Sequence, residues 1–339
     1  MTTLLTPAYR LTLGARVVDT TVEPKASATT DLVVTLDMDD WPDTISLALG
    51  QVGGLNPKLD DKATIEMGYA DNGGFVQVFV GLINDVDAGL TLRRLTGTSE
   101  ARALALLFVD KTYEGQTAGQ IVRDLASRAS LTVGTVDDGI AFPVYVVDSR
   151  RNALAHLRDL ATLSGVDAYF DSGGKLVFQA FTNGNIIHDV DFAKQVLALA
   201  VDRRSGLDVT VKAFGESPTG SAGSDAWGWL TKDFSRSAGT AGTGTPTVIL
   251  ERPALRTAQA ASTAASAELR AFQRRALQGH VDMLGRPEVK LGDAIRVRQV
   301  PSNGFNDIYQ VRRVVHRITK EAGFTTSVGF SAIPSEALQ

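Results

Sequence analysis

Apolar and polar residues alternate along much of the first third of the chain. Leu32, Val34, Leu36 and Met38 take every second position, and Ala63, Ile65, Met67 and Tyr69 repeat the pattern. That is the period of a strand with one buried face. Asp71-Asn72-Gly73-Gly74 follows with residues that tolerate positive φ, which predicts a tight hairpin into a return strand over residues 75–83. Residues 90–97 are a further strand. Consecutive strands joined by hairpins predict an antiparallel sheet curled into a barrel.

The period then changes. Thr117 and Gln120 have capping-box spacing, and Ile121, Val122, Leu125, Ala126 and Ala129 share one helical face. Residues 143–147 predict a short strand. A second helix is expected over about 149–164, capped by Asp148 or Ser149. Leu154, Leu157, Leu160 and Ala161 form its apolar stripe, and Gly165 is placed to end it. Strands at 166–170 and 175–179 flank Asp171-Ser172-Gly173-Gly174, a second hairpin signal. The segment reads as a small α/β unit.

The last third returns to strands around one long helix. Residues 207–214 alternate like a strand. Residues 215–246 hold seven glycines and read as a loop, long for a compact domain. A helix is predicted over 253–278: Leu255, Ala258, Ser262, Ala265, Leu269, Phe272 and Ala276 recur at alternating spacings of 3 and 4, with Gly279 placed to stop it. Strands are expected at 281–282, 294–300, 308–318 and 324–330. The fold class is α+β and β-rich, divided into residues 1–105, 106–192 and 193–339.

Composition narrows the chemistry. The 339 residues are 44% apolar and 21% charged, which allows two or three domains of ordinary size. A net charge of -4 gives no basic field for nucleic acid or an anionic membrane. There is no cysteine, which excludes disulfides, thiolate zinc sites and cysteine nucleophiles. The N-terminus has no signal-peptide pattern, and no apolar run is long enough for a membrane helix. Synthesis in a cytoplasm is expected.

The search for catalytic motifs returns little. His156, His188, His280 and His316 form no metal-binding pattern, and no nucleophile elbow is present. Ser172-Gly173-Gly174-Lys175 lacks the earlier glycine of a phosphate loop, and Gly242-Thr243-Gly244 lacks the third glycine of a dinucleotide fingerprint. No catalytic, cofactor-binding or metal-binding residue is assigned, and no cofactor is expected. Carboxylates gather at Asp37, Asp39, Asp40 and Asp43, and at Asp137–Asp138. A glycosidase needs two carboxylates at a set separation across a cleft. Solubilising charge at a strand end is the favoured reading of the first cluster.

Arg-Arg pairs occur at 93–94, 150–151, 203–204, 274–275 and 312–313. Scattered and offset by acids, they read as solvated faces or subunit-interface ion pairs rather than as a nucleic-acid surface. Trp227 and Trp229 lie in the glycine-rich loop. They are candidates for docking a partner, or for pinning the loop to its own domain.

Several stretches together resemble the late-control D-type tail proteins of phages. They are Gly285-Arg286-Pro287, Leu291-Gly292-Asp293-Ala294-Ile295-Arg296-Val297, and Tyr309-Gln310-Val311 through Val314-Val315-His316-Arg317-Ile318. Phe79-Val80-Gly81-Leu82-Ile83 and the helix–hairpin unit ending in Lys175-Leu176-Val177-Phe178 precede them in the same order. Gly81 is expected where a Cβ would meet a crossing backbone, and Gly292-Asp293 where a tight turn opens a strand.

The resemblance implies the baseplate hub of a contractile tail or injection system. It implies two tube-like β-barrel domains, 1–105 and 193–339, with the small α/β domain 106–192 between them. It further implies a homotrimer whose ring of pseudo-sixfold symmetry joins a sixfold tail tube to a threefold spike. The implied partners are the tube protein, baseplate wedge proteins and a spike expected to be a separate chain. No stable nucleic-acid binding and no membrane insertion by this chain are expected. The protein would be made in the bacterial cytoplasm and assembled into a virion tail or injection particle. Two other readings stand beside this one: a tail-associated peptidoglycan hydrolase using carboxylates such as Asp39 and Asp40, and a peripheral receptor- or cargo-binding baseplate protein.

Overall fold

In the computed structural model, which describes residues 5–22, 29–50, 56–71, 74–182, 186–205, 208–215, 238–301 and 303–333, the alternating runs become strands that bury one face. The N-terminal region forms β1 (Pro7–Leu13), β2 (Arg16–Asp19), β3 (Thr29–Asp37), β4 (Thr44–Gly50), β5 (Lys62–Tyr69), β6 (Gly74–Ala88) and β7 (Leu92–Ser99). Leu32, Val34 and Leu36 of β3 and Ala63, Ile65 and Met67 of β5 point into the core. β6 runs past its expected end at Ile83. Its first half pairs with β5 and its second half with β7, so it serves two neighbours in turn. Gly81 lies at the changeover. A Cβ there would sit 2.3 Å from the Thr98 carbonyl oxygen and 2.6 Å from the Phe79 ring, the close approach expected from sequence.

The middle of the chain forms α1 (Arg102–Ala105), β8 (Lys111–Thr117), α2 (Ala118–Arg128), β9 (Val133–Val136), β10 (Ala141–Val147), α3 (Ala153–Ser164), β11 (Asp167–Phe170) and β12 (Leu176–Gln179). The Thr117–Gln120 capping box is present at the start of α2. α3 begins later than expected because Asn152 is its cap, accepting from the Ala155 N–H at 2.9 Å. Asp148 is instead paired with Arg150, and the Ser149 N–H donates to Asp110. Gly165 ends α3 with φ of 68°.

The remainder forms β13 (Ile187–Asp191), β14 (Val196–Arg203), β15 (Thr210–Phe214), β16 (Gly239–Ala241), β17 (Thr247–Glu251), α4 (Ala258–Arg275), β18 (Leu277–Leu284), β19 (Ala294–Arg298), β20 (Ile308–Thr319) and β21 (Gly323–Ala332). α4 is shorter than expected and turned about its axis. Thr257 caps it, and the residues after Arg275 are drawn into β18. Its fully buried face is Ala260, Ala261, Ala264, Ala265 and Ala267, while Ala258 and Ser262 are exposed. In so alanine-rich a helix several faces have similar apolarity, so spacing alone selects poorly between them. Gly279 does not stop the helix. It sits within β18, where a Cβ would lie 2.5 Å from the Ala200 carbonyl oxygen and 2.7 Å from the Phe330 ring.

β3 pairs antiparallel with β20, matching Asp31–Asp37 against Thr319–Arg313. Most strands of the two β-rich regions therefore form one sheet, in the order β14-β18-β21-β20-β3-β4-β7-β6-β5-β1-β2, with β19 also on β20 and β13 parallel to β19, while β16-β15-β17 form a separate small sheet. This path is open, ending at β14 and β2, so strand pairing among the described residues closes no barrel. The sheet nevertheless curls. Tyr69 of β5 packs against Phe324 of β21 with ring centroids 5.6 Å apart, and its hydroxyl donates to the Gly285 carbonyl at 2.9 Å.

Two cores result. The first joins both β-rich regions, with Leu11, Leu47, Ile65 and Phe79 packed with Val281, Val314 and Phe330. The second gathers α2, α3, β8 and β10 around Tyr113, Phe142, Leu157 and Phe178, and it recruits Val211 of β15 and Ala261 of α4 from much later in the chain.

Candidate functional site

The turn after β3 spans the two cores. Met38 packs into the first core; Trp41, three residues on, packs into the second, edge-to-face on Phe170 at 5.6 Å. Asp37 shapes the turn, its carboxylate accepting the N–H groups of Asp39 (2.8 Å) and Asp40 (3.1 Å). Asp43 is buried at the start of the return and accepts the Asp37 N–H at 2.9 Å. Burial, helped by the nearby Asp37 charge, raises Asp43 to a pKa of about 7.

This turn aims Asp39 at Arg312. The pair is bidentate: Arg312 Nε donates to Asp39 Oδ2 at 2.9 Å and Nη2 to Oδ1 at 2.6 Å. Arg312 sits at a β-bulge in β20, where the register with β21 shifts between Val311 and Arg313. Such a bulge re-aims a side chain out of the strand's alternation. The other arm, Nη1, donates to Asp167 Oδ1 at 3.0 Å. Arg274 of α4 donates to the same oxygen at 2.9 Å, and Gln310 Nε2 donates to Asp167 Oδ2 at 2.6 Å.

Asp167 is thus a buried carboxylate held between two guanidinium groups and an amide. Burial opposes its charge, but Arg312 and Arg274 outweigh that and keep its pKa below the usual carboxylate range. Burial likewise opposes the charge on Arg312, and Asp167 and Asp39 more than restore it, so its pKa is raised. The network ties β20 of the sheet to β11 of the α/β unit and to α4.

A second tie lies nearby. Gly292 takes φ of 82°, and a Cβ there would lie 2.4 Å from the Tyr169 hydroxyl of β11. Asp293 accepts the Lys290 N–H at 3.0 Å, which forms the expected tight turn, and its Oδ2 lies 2.8 Å from His188 Nε2.

Three of the four histidines, His156, His188 and His316, are buried. His316 is fully buried with Nδ1 3.0 Å from Thr326 Oγ1, and burial lowers its pKa to about 4. His156 is buried on α3 with Nε2 3.1 Å from the Asp148 carbonyl, and His280 is exposed. Among the described residues, no group of three or more His, Asp or Glu side chains could hold a metal ion. No helix among them is long and apolar enough to cross a membrane.

Many of the flagged arginines turn out to pair within the chain. Arg150 meets Asp148, Arg151 meets Asp159, Arg204 meets Asp202, Arg274 and Arg312 meet Asp167, and Arg313 meets Asp37. Of the carboxylate pair 137–138, Asp137 accepts the Ala180 N–H at 2.8 Å and Asp138 faces Arg123 at 3.5 Å. Asp39 is engaged with Arg312, while Asp40 is exposed. Trp227 and Trp229 lie outside the described residues. Sequence reasoning missed Asp167 and took Arg274 and Arg312 for surface or interface groups. The two arginine doublets were the only signal.

Between α3, β11 and α4 the junction leaves a cleft of about 520 Å³. Arg158 on α3 and Arg275 on α4 line it, with Asp39, Glu268, Arg274 and Arg312.

No family model and no curated protein matches the sequence. Solved structures do match, along nearly the whole chain. The 43 kDa tail protein of prophage MuSo2 from Shewanella oneidensis is 14% identical, with a TM-score of 0.72 over 98% of this chain and 99% of that one. A tail protein from Neisseria meningitidis MC58 is 12% identical, with a TM-score of 0.70 over 96% and 97% of the two chains. The E. coli c3393 protein is 8% identical, with a TM-score of 0.60 over 96% of this chain and 77% of its own. It is described as a component of the type VI secretion system with structural similarity to the T4 bacteriophage tail proteins gp27 and gp5. The chain shares the fold of these tail proteins, in keeping with the family that the sequence resembles, while the closed barrels implied by that resemblance are not formed by strand pairing among the described residues.

Proposed function

We propose that this chain is the structural hub of the baseplate of a contractile tail or injection system. The observation that carries the reading is the reciprocal, nearly full-length superposition on tail proteins, so that no large part of either chain is left unmatched. Function does not follow from fold alone. The reading therefore also draws on the motif order in the sequence and on the kind of site the fold presents. That site is a set of structural ties between two cores rather than a constellation of free acid and base groups.

In the proposed assembly, three copies form a ring of pseudo-sixfold symmetry. The ring takes the sixfold tail tube on one side and a separate threefold spike protein on the other, with wedge proteins around it. Two β-rich regions per chain suit that arithmetic, since three copies present six. The role is mechanical, without catalysis or cofactor: it holds tube and spike in register and leaves with them on contraction. The chain would be made in the bacterial cytoplasm and built into a virion or injection particle.

Light scattering after size exclusion tests the ring. A mass near three times 36.1 kDa is expected, alone or with the spike. A stable monomer that also fails to bind its spike sinks the proposal. Cell-wall degradation by the purified protein, lost on Asp39→Ala and Asp40→Ala, would replace it with the hydrolase reading. A peripheral position in electron micrographs of the particle would replace it with the receptor-binding one.

A further inference from the structure

The cleft between α3 and α4 has a lining of mixed charge with one arginine in excess. Its lining holds Arg158, Arg274, Arg275 and Arg312 against Asp39, Asp167 and Glu268, while the whole chain carries a net charge of -4. The two buried-side arginines are spoken for: Arg274 and Arg312 share Asp167, and Arg312 also holds Asp39. The two outer arginines are held differently. Arg158 lies over the Trp41 ring at 5.7 Å and makes only a long contact, 3.5 Å, to the Asp39 carbonyl. Arg275 lies over the Phe272 ring at 5.5 Å. Among the described residues, neither has a carboxylate within ion-pairing distance.

A guanidinium stacked on an aromatic ring has its plane fixed while its edge N–H groups stay available. Two such groups, one on α3 and one on α4, line the same cleft and leave N–H groups available to an oxyanion. The polar complement of the lining is also incomplete. Arg274 Nε and Ser331 Oγ, both on cleft-lining residues, are buried without a hydrogen-bond partner.

We propose that this cleft seats an acidic side chain, Asp or Glu, presented by a partner protein. The fork geometry of arginine matches a carboxylate. Asp39 and Glu268 on the same lining disfavour a run of phosphates and leave room for a single carboxylate between the arginines. With a net charge of -4 the chain offers an anion no long-range attraction, so binding must come from the cleft itself. Only the partner's place in the particle rests on the hub reading. A monomer that still binds through these arginines would leave the cleft standing and remove the ring.

Fluorescence anisotropy with a labelled hexaglutamate peptide at low ionic strength tests it. Binding is expected, weakened by about tenfold or more in the Arg158→Ala/Arg275→Ala double variant, since two charge-assisted contacts are lost. Arg158→Lys/Arg275→Lys, which keeps charge but not the stacked fork, is expected to fall between, and it supplies the answer should the alanine pair fold poorly. Arg10→Ala, which removes a guanidinium on β1 already paired with Asp19 and Glu66, is expected to bind like the parent. The proposal is overturned by no binding, by equal binding in parent and lysine variants with both arginines dispensable, or by a labelled oligothymidylate binding more tightly than hexaglutamate through the same two residues.

Discussion

Asp43 carries its carboxyl into a buried place beside the charge of Asp37, and this gives it a pH signature. A carboxyl raised to about 7 in the folded state keeps its proton between about pH 4 and 7, where the unfolded chain has lost it. Its contribution to stability is therefore full below pH 4 and declines as pH rises to 7, with an upper bound of about 4 kcal/mol for a three-unit shift. Asp43→Asn keeps an acceptor for the Asp37 N–H and removes the titration. Urea midpoints at pH 5 and pH 8 are expected to differ less in the variant than in the parent, and parallel profiles would refute the assignment.

His316 works in the opposite sense. Lowered to about 4 by burial, it contributes stability that is complete above about pH 6.5 and is lost as pH falls through 4. Its ring is expected to stay neutral down to about pH 5 in an NMR titration of the folded protein. Half-protonation above pH 6 would show that the ring reaches water.

Asp167 is the costliest residue of the junction to lose. Asp167→Ala leaves Arg312 and Arg274, whose side chains are 15% and 17% exposed, without their shared anion. Breaking a buried pair in this way costs about 3–5 kcal/mol, to be read as a lowered denaturant midpoint. The Asp39 arm is different. Asp39 is 67% exposed, so Asp39→Ala is expected to cost no more than about 1 kcal/mol.

At the scale of elements, the glycines of the strands set how closely neighbours approach. Gly81→Ala must push the Thr98 carbonyl away at the point where β6 passes from β5 to β7. A cost of about 1–3 kcal/mol is expected, as for overpacking a core. An unchanged thermal midpoint would mean that the strand crossing has slack. Caps were legible where their signals are local: Thr117 with Gln120, and Gly165. The caps expected for α3, Asp148 and Ser149, gave way to Asn152: Asp148 pairs with Arg150, and the Ser149 N–H is held by Asp110, 39 residues away.

At the scale of the whole molecule, neither β-rich region is complete alone. β3 has β4 on one side and β20 on the other, and the first core draws Val281, Val314 and Phe330 from the end of the chain. A fragment of residues 1–105 is therefore expected to lack a cooperative unfolding transition and to show poorly dispersed amide signals, while the full chain unfolds cooperatively. A well-dispersed spectrum from the fragment would mean that the first region closes its own core.

Sequence alone determined the strand periods, the hairpin at Asp171–Gly174, the caps Thr117 and Gly165, the exclusion of thiol chemistry and, through motifs in a fixed order, the kind of fold. These are local properties, set by neighbours two to four positions away. The burial of Asp167 between Arg312 and Arg274, residues 145 and 107 positions distant, was decided only by tertiary structure. So were the pairing of β3 with β20, the recruitment of α4 to the second core and the bulge that turns Arg312 inward. A charge of either sign looks the same along the chain whether water or a partner waits for it. What distinguishes the two cases is the loss of solvent when distant segments close over it, and no local pattern records which segments those will be.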